Sequence, residues 1–145
     1  MSARYDVPGV GARIFNDLIR RLAELGFSIA GSTAVRVRGR TTGLPRAVVV
    51  NVLTVDGRRY LISPRGDTQW ARNARAAGEV EIGARGRART HAVVEVADDA
   101  KPELLKRYLD RWYWQVKGHI GGLTPRSSVH RMQEVAPTIP VFEVR

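Results

Sequence analysis

Hydrophobic positions in the middle of the chain alternate with polar ones or run together, which is the pattern of β-strands. Residues 34–39 alternate valine with arginine, and residues 46–54 contain an almost continuous run of valine. Asp56-Gly57 follows this run and is a strong signal for a type I′ hairpin turn. The pattern predicts six strands, over residues 34–39, 46–54, 58–63, 79–84, 87–96 and 138–144.

Two segments before residue 80 carry apolar residues at the three- and four-residue spacing of helices. The second, over residues 66–78, has Asp67 or Thr68 as a cap and Gly78 as a stop. The first lies near the N-terminus and ends at Gly26. We expect its apolar side to pack on the core; that side consists of Ile14, Phe15, Leu18, Leu22 and Leu25.

A third helix is predicted over residues 98–118. Asp98 or Asp99 can cap it, and Pro102 suits its first turn. Its apolar side comprises Leu105, Tyr108, Leu109, Trp112 and Val116. The glycine-, proline- and serine-rich stretch between this helix and the last strand is expected to be a loop.

Hairpin-linked strands with helices at the start, in the middle and near the end indicate an α+β fold. Six such strands leave no exposed edge when they close into a small barrel. Residues 47–53 and 92–96 are apolar enough for its interior. We expect one domain over residues 1–145, in which residues 1–30 form an N-terminal helical segment.

The composition predicts a cytoplasmic globular protein. Of 145 residues, 43% are hydrophobic and 26% are charged, which is an ordinary balance. The sequence shows neither an apolar run of about 20 residues, which a membrane span needs, nor the pattern of a signal peptide. It contains no cysteine, which excludes disulfides and thiolate chemistry.

The positive net charge of the chain indicates which classes of partner it can attract. There are 24 lysines and arginines against 14 acids, a formal net charge of +10. From Arg36 to Arg89 the sequence has 12 arginines and 4 acids, so the excess lies in the middle of the chain. Such a field attracts nucleic acid, anionic lipid or a phosphorylated cofactor.

The sequence offers no self-sufficient catalytic motif. His91, His119 and His130 are isolated, so no metal site is expected. No nucleophile elbow, Walker A motif or dinucleotide-binding fingerprint is present. If the protein is an enzyme, its reactive group is therefore expected to come from a cofactor.

The loop GRTTGLPR, residues 39–46, concentrates donors for a phosphate. Arg40 and Arg46 supply charged forks, and Thr41 and Thr42 supply hydroxyls. We expect Gly39 and Gly43 to take positive φ, which lets the backbone approach a ligand closely. A second basic turn, SPRGD at residues 63–67, is expected at the same rim of the barrel, since the strands are hairpin neighbours.

GRTTGLPR, the apolar strand after it, LISPRGD and WARNARAAG occur in an order and at a spacing similar to a known family. The chain resembles the deazaflavin-dependent nitroreductases of actinobacteria, split-barrel oxidoreductases that use coenzyme F420. The closing PTIPVFEV also resembles the last strand of that family. The resemblance implies a split β-barrel of about six antiparallel strands, like those that bind FMN, with three flanking helices.

The resemblance also implies roles for residues of the rim. The cofactor's phosphate and acidic tail would be held by Arg40, Thr41, Thr42 and Arg46, in a loop shaped by Gly43 and Pro45. The ring would rest on Val48 and Val49, and the ring or its polyol chain would contact Ser63, Pro64, Arg65 and Gly66. The short helix would brace the site through Trp70 and Asn73.

The implied reaction is hydride transfer from reduced F420 to a small planar acceptor such as a quinone, an enone or a nitroaromatic. The protein would hold donor and acceptor together and exclude water. Ser63 and Tyr113 are candidates for the proton donor. Tyr113 and Trp114 lie off the apolar side of the third helix and are candidates for contact with the acceptor.

Three alternatives stay open at this point. FMN could occupy the same barrel, the protein could be a basic nucleic-acid-binding module, or it could bind the cofactor without turnover. We expect no nucleic-acid partner, because the aromatic residues cluster on one helix and do not interleave with the basic strands. Peripheral association with a membrane, and a monomeric or homodimeric state, are compatible with the sequence.

Overall fold

A computed structural model describes residues 4, 5, 13, 14, 16–18, 20 and 31–145. Its six strands are β1 (Ser32–Arg38), β2 (Pro45–Val55), β3 (Arg58–Ile62), β4 (Glu79–Ile82), β5 (Arg89–Glu95) and β6 (Val141–Val144). Its α-helices after residue 31 are α1 (Gln69–Ala77), α2 (Lys101–Val116) and α3 (Val129–Val135).

The strands close into an antiparallel barrel, as predicted, and their order is β1-β2-β3-β6-β5-β4. Asp56 and Gly57 both have positive φ, 51° and 77°, which confirms the type I′ turn between β2 and β3. Antiparallel pairing places the loop after β1 and the turn after β3 at one end of the barrel, which we call the upper rim. The hairpins at residues 56–57 and 83–88 form the opposite end, the lower rim.

Strand β2 is apolar on both sides because two cores meet across it. Val48, Val50 and Val52 belong to the barrel interior, together with Phe142 of β6. Leu53 and Val55 point the other way, into a second core under α2. Strand β5 differs, because Val93 is buried in the barrel while Val94 is 47% exposed. The prediction of an apolar interior strand is thus correct for one face of residues 92–96.

Helix α1 closes the upper end of the barrel. Thr68 is its N-cap, accepting a hydrogen bond from the Ala71 amide (3.4 Å), and Gly78 ends it in the left-handed conformation. Ala71 and Ala74 are fully buried against the barrel interior. Small side chains on this face let the helix approach the strands closely.

Helix α2 covers the outside of the barrel with the apolar side that was predicted. Its residues Leu105, Tyr108, Leu109, Trp112 and Val116 are all buried. Its cap was predicted wrongly, because Asp98 and Asp99 form a 3₁₀ turn with Ala100, and Ala100 takes the N-cap position. Asp98 instead pairs with the buried Lys101 at 2.8 Å.

The segment before β6 and the segment near the N-terminus differ from what the sequence predicted. The stretch expected to be a loop contains α3, which Ser128 caps by accepting from the Arg131 amide (3.0 Å). Residues 13, 14, 16–18 and 20 are helical, but Ile14 and Leu18 are 69% and 54% exposed and do not pack on the core. Phe15, Leu22 and Leu25 lie outside the described residues. In the described part of the chain, no helix is long and apolar enough to cross a membrane.

Candidate cofactor site at the upper rim

The loop of residues 39–44 contacts α1, the helix that follows the SPRGD turn, at the upper rim. The Arg40 guanidinium donates through Nη1 to Gln69 Oε1 (2.9 Å) and to Asn73 Oδ1 (2.8 Å). The Arg40 backbone amide also donates to Asn73 Oδ1 (3.1 Å). Both acceptors belong to α1, which starts two residues after the SPRGD turn ends at Asp67. The loop of residues 39–44 is therefore fastened to the helix that the second turn leads into.

The loop is closed by its own backbone. The Gly39 amide donates to the Leu44 carbonyl, and the Gly43 amide donates to the Gly39 carbonyl, both at 2.9 Å. Gly43 has a φ of 71° and faces open space, as expected for a glycine that a turn requires. Gly39 does not have the expected positive φ. It is needed for another reason, since a Cβ there would lie 2.8 Å from Thr42 Oγ1 and 3.2 Å from the Leu44 carbonyl oxygen.

The remaining donors of the loop point outward. Thr41 and Arg46 are exposed, and the Arg46 side chain has no hydrogen bond or ion pair with any described residue. Pro45 is also exposed but has no N–H to donate. The Thr42 hydroxyl accepts from the Leu44 amide (3.2 Å) and keeps its hydrogen for another acceptor. A ligand at this rim would meet two arginines and two hydroxyls without displacing a carboxylate.

The SPRGD turn is more enclosed than the sequence suggested. Ser63 is fully buried, and its hydroxyl donates to the Gly66 carbonyl (2.6 Å) and lies 2.8 Å from Thr68 Oγ1. Gly66 lies against the chain's own N-terminal residues, since a Cβ there would come within 1.7 Å of the Arg4 carbonyl oxygen. Arg4 also donates to the Pro64 carbonyl. Ser63 and Gly66 are thus buried and make contacts within the protein, while Pro64 and Arg65 are half-buried.

Val48 and Val49 cannot both support a ring, because neighbouring residues of a strand point to opposite faces. Val48 packs against the barrel interior. Val49 is half-buried on the outer face, opposite Ala34 of β1. Trp70 also faces the barrel, with its ring 5.9 Å from that of Phe142. Of these three residues, Val49 is the one that the structure leaves on the outside of the barrel.

The aromatic residues of α2 have different surroundings. Tyr113 is half-buried against the core under α2, whereas Trp114 is 67% exposed and donates its indole N–H to the Arg111 carbonyl (3.2 Å). Tyr108 is buried and accepts a hydrogen bond from Asn51 Nδ2 (3.5 Å). Burial raises the pKa of Tyr108 to about 12, and the hydrogen bond from Asn51 opposes that rise. Trp114 is therefore the aromatic side chain of α2 most available to a planar ligand.

A separate cavity of about 480 Å³ lies on the other flank of α1. Its charged lining is already paired, because Arg75 binds Glu95 (2.8 Å) and Asp67 (3.1 Å), and Lys101 binds Asp98 (2.8 Å). The loop flank of α1 differs from this cavity, because Arg40 and Arg46 there have no carboxylate partner among the described residues. Among the described residues, no cluster of three or more histidine, cysteine or acidic side chains could hold a metal ion.

Gln69 is a residue of this candidate site that was not predicted from the sequence. Its amide oxygen accepts from Arg40 at 2.9 Å. The signal that was present is its spacing from Asn73, since residues four apart lie on one side of a helix. That spacing alone does not show which loop the pair would face.

The closed six-stranded antiparallel barrel with its flanking helices places the protein in the split β-barrel class of folds. The chain belongs to the F420H2-dependent quinone reductase family, whose sequence profile matches residues 12–118, more than half of its 145 residues. This family consists of oxidoreductases, so the protein is an F420H2-dependent reductase and coenzyme F420 is its cofactor. None of the curated proteins that were compared with the chain matches it.

Solved structures share the fold at low sequence identity. A protein of unknown function from Agrobacterium tumefaciens has a TM-score of 0.55 and 14% identity over 99% of this chain, which spans 58% of that protein's length. An F420H2-dependent reductase named FDR-A has a TM-score of 0.52 and 15% identity; 79% of this chain and 94% of that one are covered. A heme-binding protein from Mycobacterium smegmatis has a TM-score of 0.52 and 15% identity, with coverage of 87% and 49%.

Proposed function

We propose that the loop of residues 39–46 and the adjoining flank of α1 hold the anionic part of F420, and that the reduced cofactor passes its hydride to a quinone. The observation that carries this proposal is the convergence of Arg40 and α1 at the upper rim. Arg40 and Arg46 face no carboxylate among the described residues, so their charge is available to a phosphate or a carboxylate tail.

The residues present fit such a cofactor. The exposed hydroxyls of Thr41 and Thr42 add hydrogen-bond donors beside the two arginines. Val49 offers an apolar support on the outer face of β2 for a planar ring. When bound, reduced F420 supplies a hydride from C5, and the protein's part is to orient the ring, hold the acceptor against it and limit the access of water.

The proton that the reduced acceptor needs is assigned to solvent or to Tyr113. Ser63 is less suited to this role than the sequence suggested, because its hydroxyl hydrogen is engaged by the Gly66 carbonyl. Trp114 remains our candidate for stacking on the acceptor, since its ring is largely exposed. A quinone is proposed as the acceptor because the description of the matching family names it.

The test is to mix the protein with reduced F420 under anaerobic conditions and follow reoxidation with quinones, enones and nitroaromatics. We expect quinones to react fastest. Arg46→Ala should raise the KM for reduced F420 about tenfold, the loss of one charge-assisted contact. Arg85→Ala is the matched control, because Arg85 is also an exposed arginine without a described partner but lies at the lower rim.

Each part of the proposal has its own contradicting result. Equal effects of the Arg46 and Arg85 substitutions would show that the upper rim does not bind the cofactor. Reoxidation by nitroaromatics or enones but not by quinones would contradict the proposed acceptor, and it would not contradict the proposed cofactor site.

A further inference from the structure

Two arginines on opposite flanks of α1 have partners of different charge. Arg75 binds Glu95 through Nε and Nη2 (both 2.8 Å) and Asp67 through Nη1 (3.1 Å). These carboxylates raise the pKa of Arg75 above its usual range and cancel its charge locally. Arg40, in contrast, is held by amide oxygens of Gln69 and Asn73.

An amide oxygen can orient a guanidinium without neutralising it. Both contacts of the Arg40 side chain use Nη1, which has two N–H groups. Nε and Nη2 have no partner among the described residues, and together they form the fork that binds an oxyanion with two parallel hydrogen bonds. The contacts therefore fix the orientation of Arg40 while leaving its charge and one bidentate edge available.

We propose that Gln69 is a positioning residue for anion binding, and that its neutrality is the property on which cofactor affinity depends. This inference rests on the proposed function, because the oxyanion in question is that of F420. Asn73 is buried and also ties the loop backbone to α1, so its replacement would affect folding as well. Gln69 is exposed at the first position of α1, where it can be changed without disturbing a core.

The decisive variant is Gln69→Glu, which has nearly the same shape and can keep the contact with Arg40. A carboxylate at this position would cancel the charge of Arg40, as Glu95 does for Arg75, and would repel an incoming anion. It would also stabilise the helix, because α1 has no acid in its first turn. We therefore expect thermal stability to stay equal or rise while affinity for F420 falls at least tenfold.

The experiment measures F420 binding by calorimetry, and unfolding by thermal melts, for the wild type and four variants. Gln69→Ala should bind F420 more weakly than the wild type, because Arg40 loses the hydrogen bond to Gln69 that orients it. It should bind F420 better than Gln69→Glu, because the charge of Arg40 is not neutralised. Gln133→Glu adds the same charge on α3 and should leave affinity unchanged. Arg75→Gln lowers the net charge by the same amount on α1 itself and should change affinity less than twofold.

The outcomes separate this inference from the function on which it rests. A wild type that does not bind F420 would overturn both. A wild type that binds F420 together with a Gln69→Glu variant of equal affinity would overturn the role of Gln69 and leave the function intact. A fall in affinity that Gln133→Glu reproduces would also overturn it, because overall charge would then account for the effect.

Discussion

Tyr108 connects a single buried hydroxyl with the stability of the molecule at high pH. Its pKa is raised to about 12 by burial, above the ordinary value of 10.0. Between these two values the unfolded chain releases this proton and the folded chain keeps it. The contribution of this hydroxyl to the free energy of unfolding is therefore fully present below about pH 10. It falls by up to about 3 kcal/mol as the pH rises toward 12.

We expect Tyr108→Phe to remove that loss of stability. Near neutral pH the substitution should cost less than about 1 kcal/mol, because the hydrogen bond from Asn51 is long (3.5 Å) and Asn51 keeps its bond to Gln115 (2.9 Å). Denaturant unfolding between pH 9 and pH 12 measures the effect, with Tyr113→Phe as the control (roughly the window set by the two pKa values). Parallel stability curves for the wild type and Tyr108→Phe would contradict the prediction.

Gly43 offers a second prediction at the level of single residues. Gly43 and Gly86 have similar positive φ values, 71° and 82°, and an added Cβ would meet nothing within 4 Å at either. Alanine should therefore cost each turn roughly 1–2 kcal/mol of backbone strain. Only Gly43→Ala should also weaken F420 binding severalfold, because only Gly43 lies in the loop that presents Arg40. Equal affinities of the two variants would show that the shape of this loop does not matter.

Residue types at the site could be predicted from the sequence, but the direction of each side chain could not. Arginine and threonine within GRTTGLPR supply donors that suit an anion, and the resemblance to the family made this loop a predicted cofactor site. Val48 faces the barrel interior, and the Ser63 hydroxyl donates to the Gly66 carbonyl. Both facts depend on residues that the fold brings into contact, which the local sequence does not show. Gly39 looked like a turn glycine, whereas it is in fact required by the closeness of Thr42 and Leu44.

At the level of elements, the placement of α1 links stability to cofactor binding. Thr68→Ala removes the N-cap of α1 and leaves the Ser63 hydroxyl without its neighbour at 2.8 Å. We expect a loss of about 1 kcal/mol of stability. F420 affinity should also fall severalfold, because α1 carries both residues that hold Arg40. Thr68→Ser keeps the capping hydroxyl and should have the stability and the F420 affinity of the wild type.

The matched control for this element is the N-cap of α3. Ser128→Ala removes a similar contact, the acceptor of the Arg131 amide at 3.0 Å, and should cost about the same stability. It should leave affinity unchanged, since α3 has no described contact with the rim loop. A fall in affinity for Ser128→Ala equal to that for Thr68→Ala would show that overall stability, rather than the position of α1, governs binding.

Elements with strong local signals were predicted well, and those set by the rest of the fold were not. All six strands and the helices α1 and α2 follow from periodicity and turn residues. Helix α3 was missed because its seven residues are too few for a clear period, although Ser128 and the apolar Met132 and Val135 are typical of a capped helix. The run of valine in β2 indicated burial, but the second core under α2 that explains it lies far away in sequence.

At the scale of the whole molecule, the excess of arginine is spread over both ends of the barrel. Arg40 and Arg46 lie at the upper rim, whereas Arg85, Arg87 and Arg89 lie on the hairpin at the lower rim or beside it. A nucleic acid that contacts one end would therefore meet only part of the net charge of +10. We expect duplex DNA to bind weakly and to be released as salt rises from about 50 mM to about 200 mM.

F420 binding should depend less on salt, because a few fixed contacts at one rim hold it and a small anion lacks the condensed counterions whose release makes DNA binding steeply salt-dependent. The measurement is a salt titration of F420 and of DNA, followed by competition at about 150 mM salt, where screening is already strong. Excess DNA should not displace F420. If DNA remained bound at this salt, competed with F420 and lost affinity on Arg46→Ala but not on Arg85→Ala, the upper rim would be a nucleic-acid site.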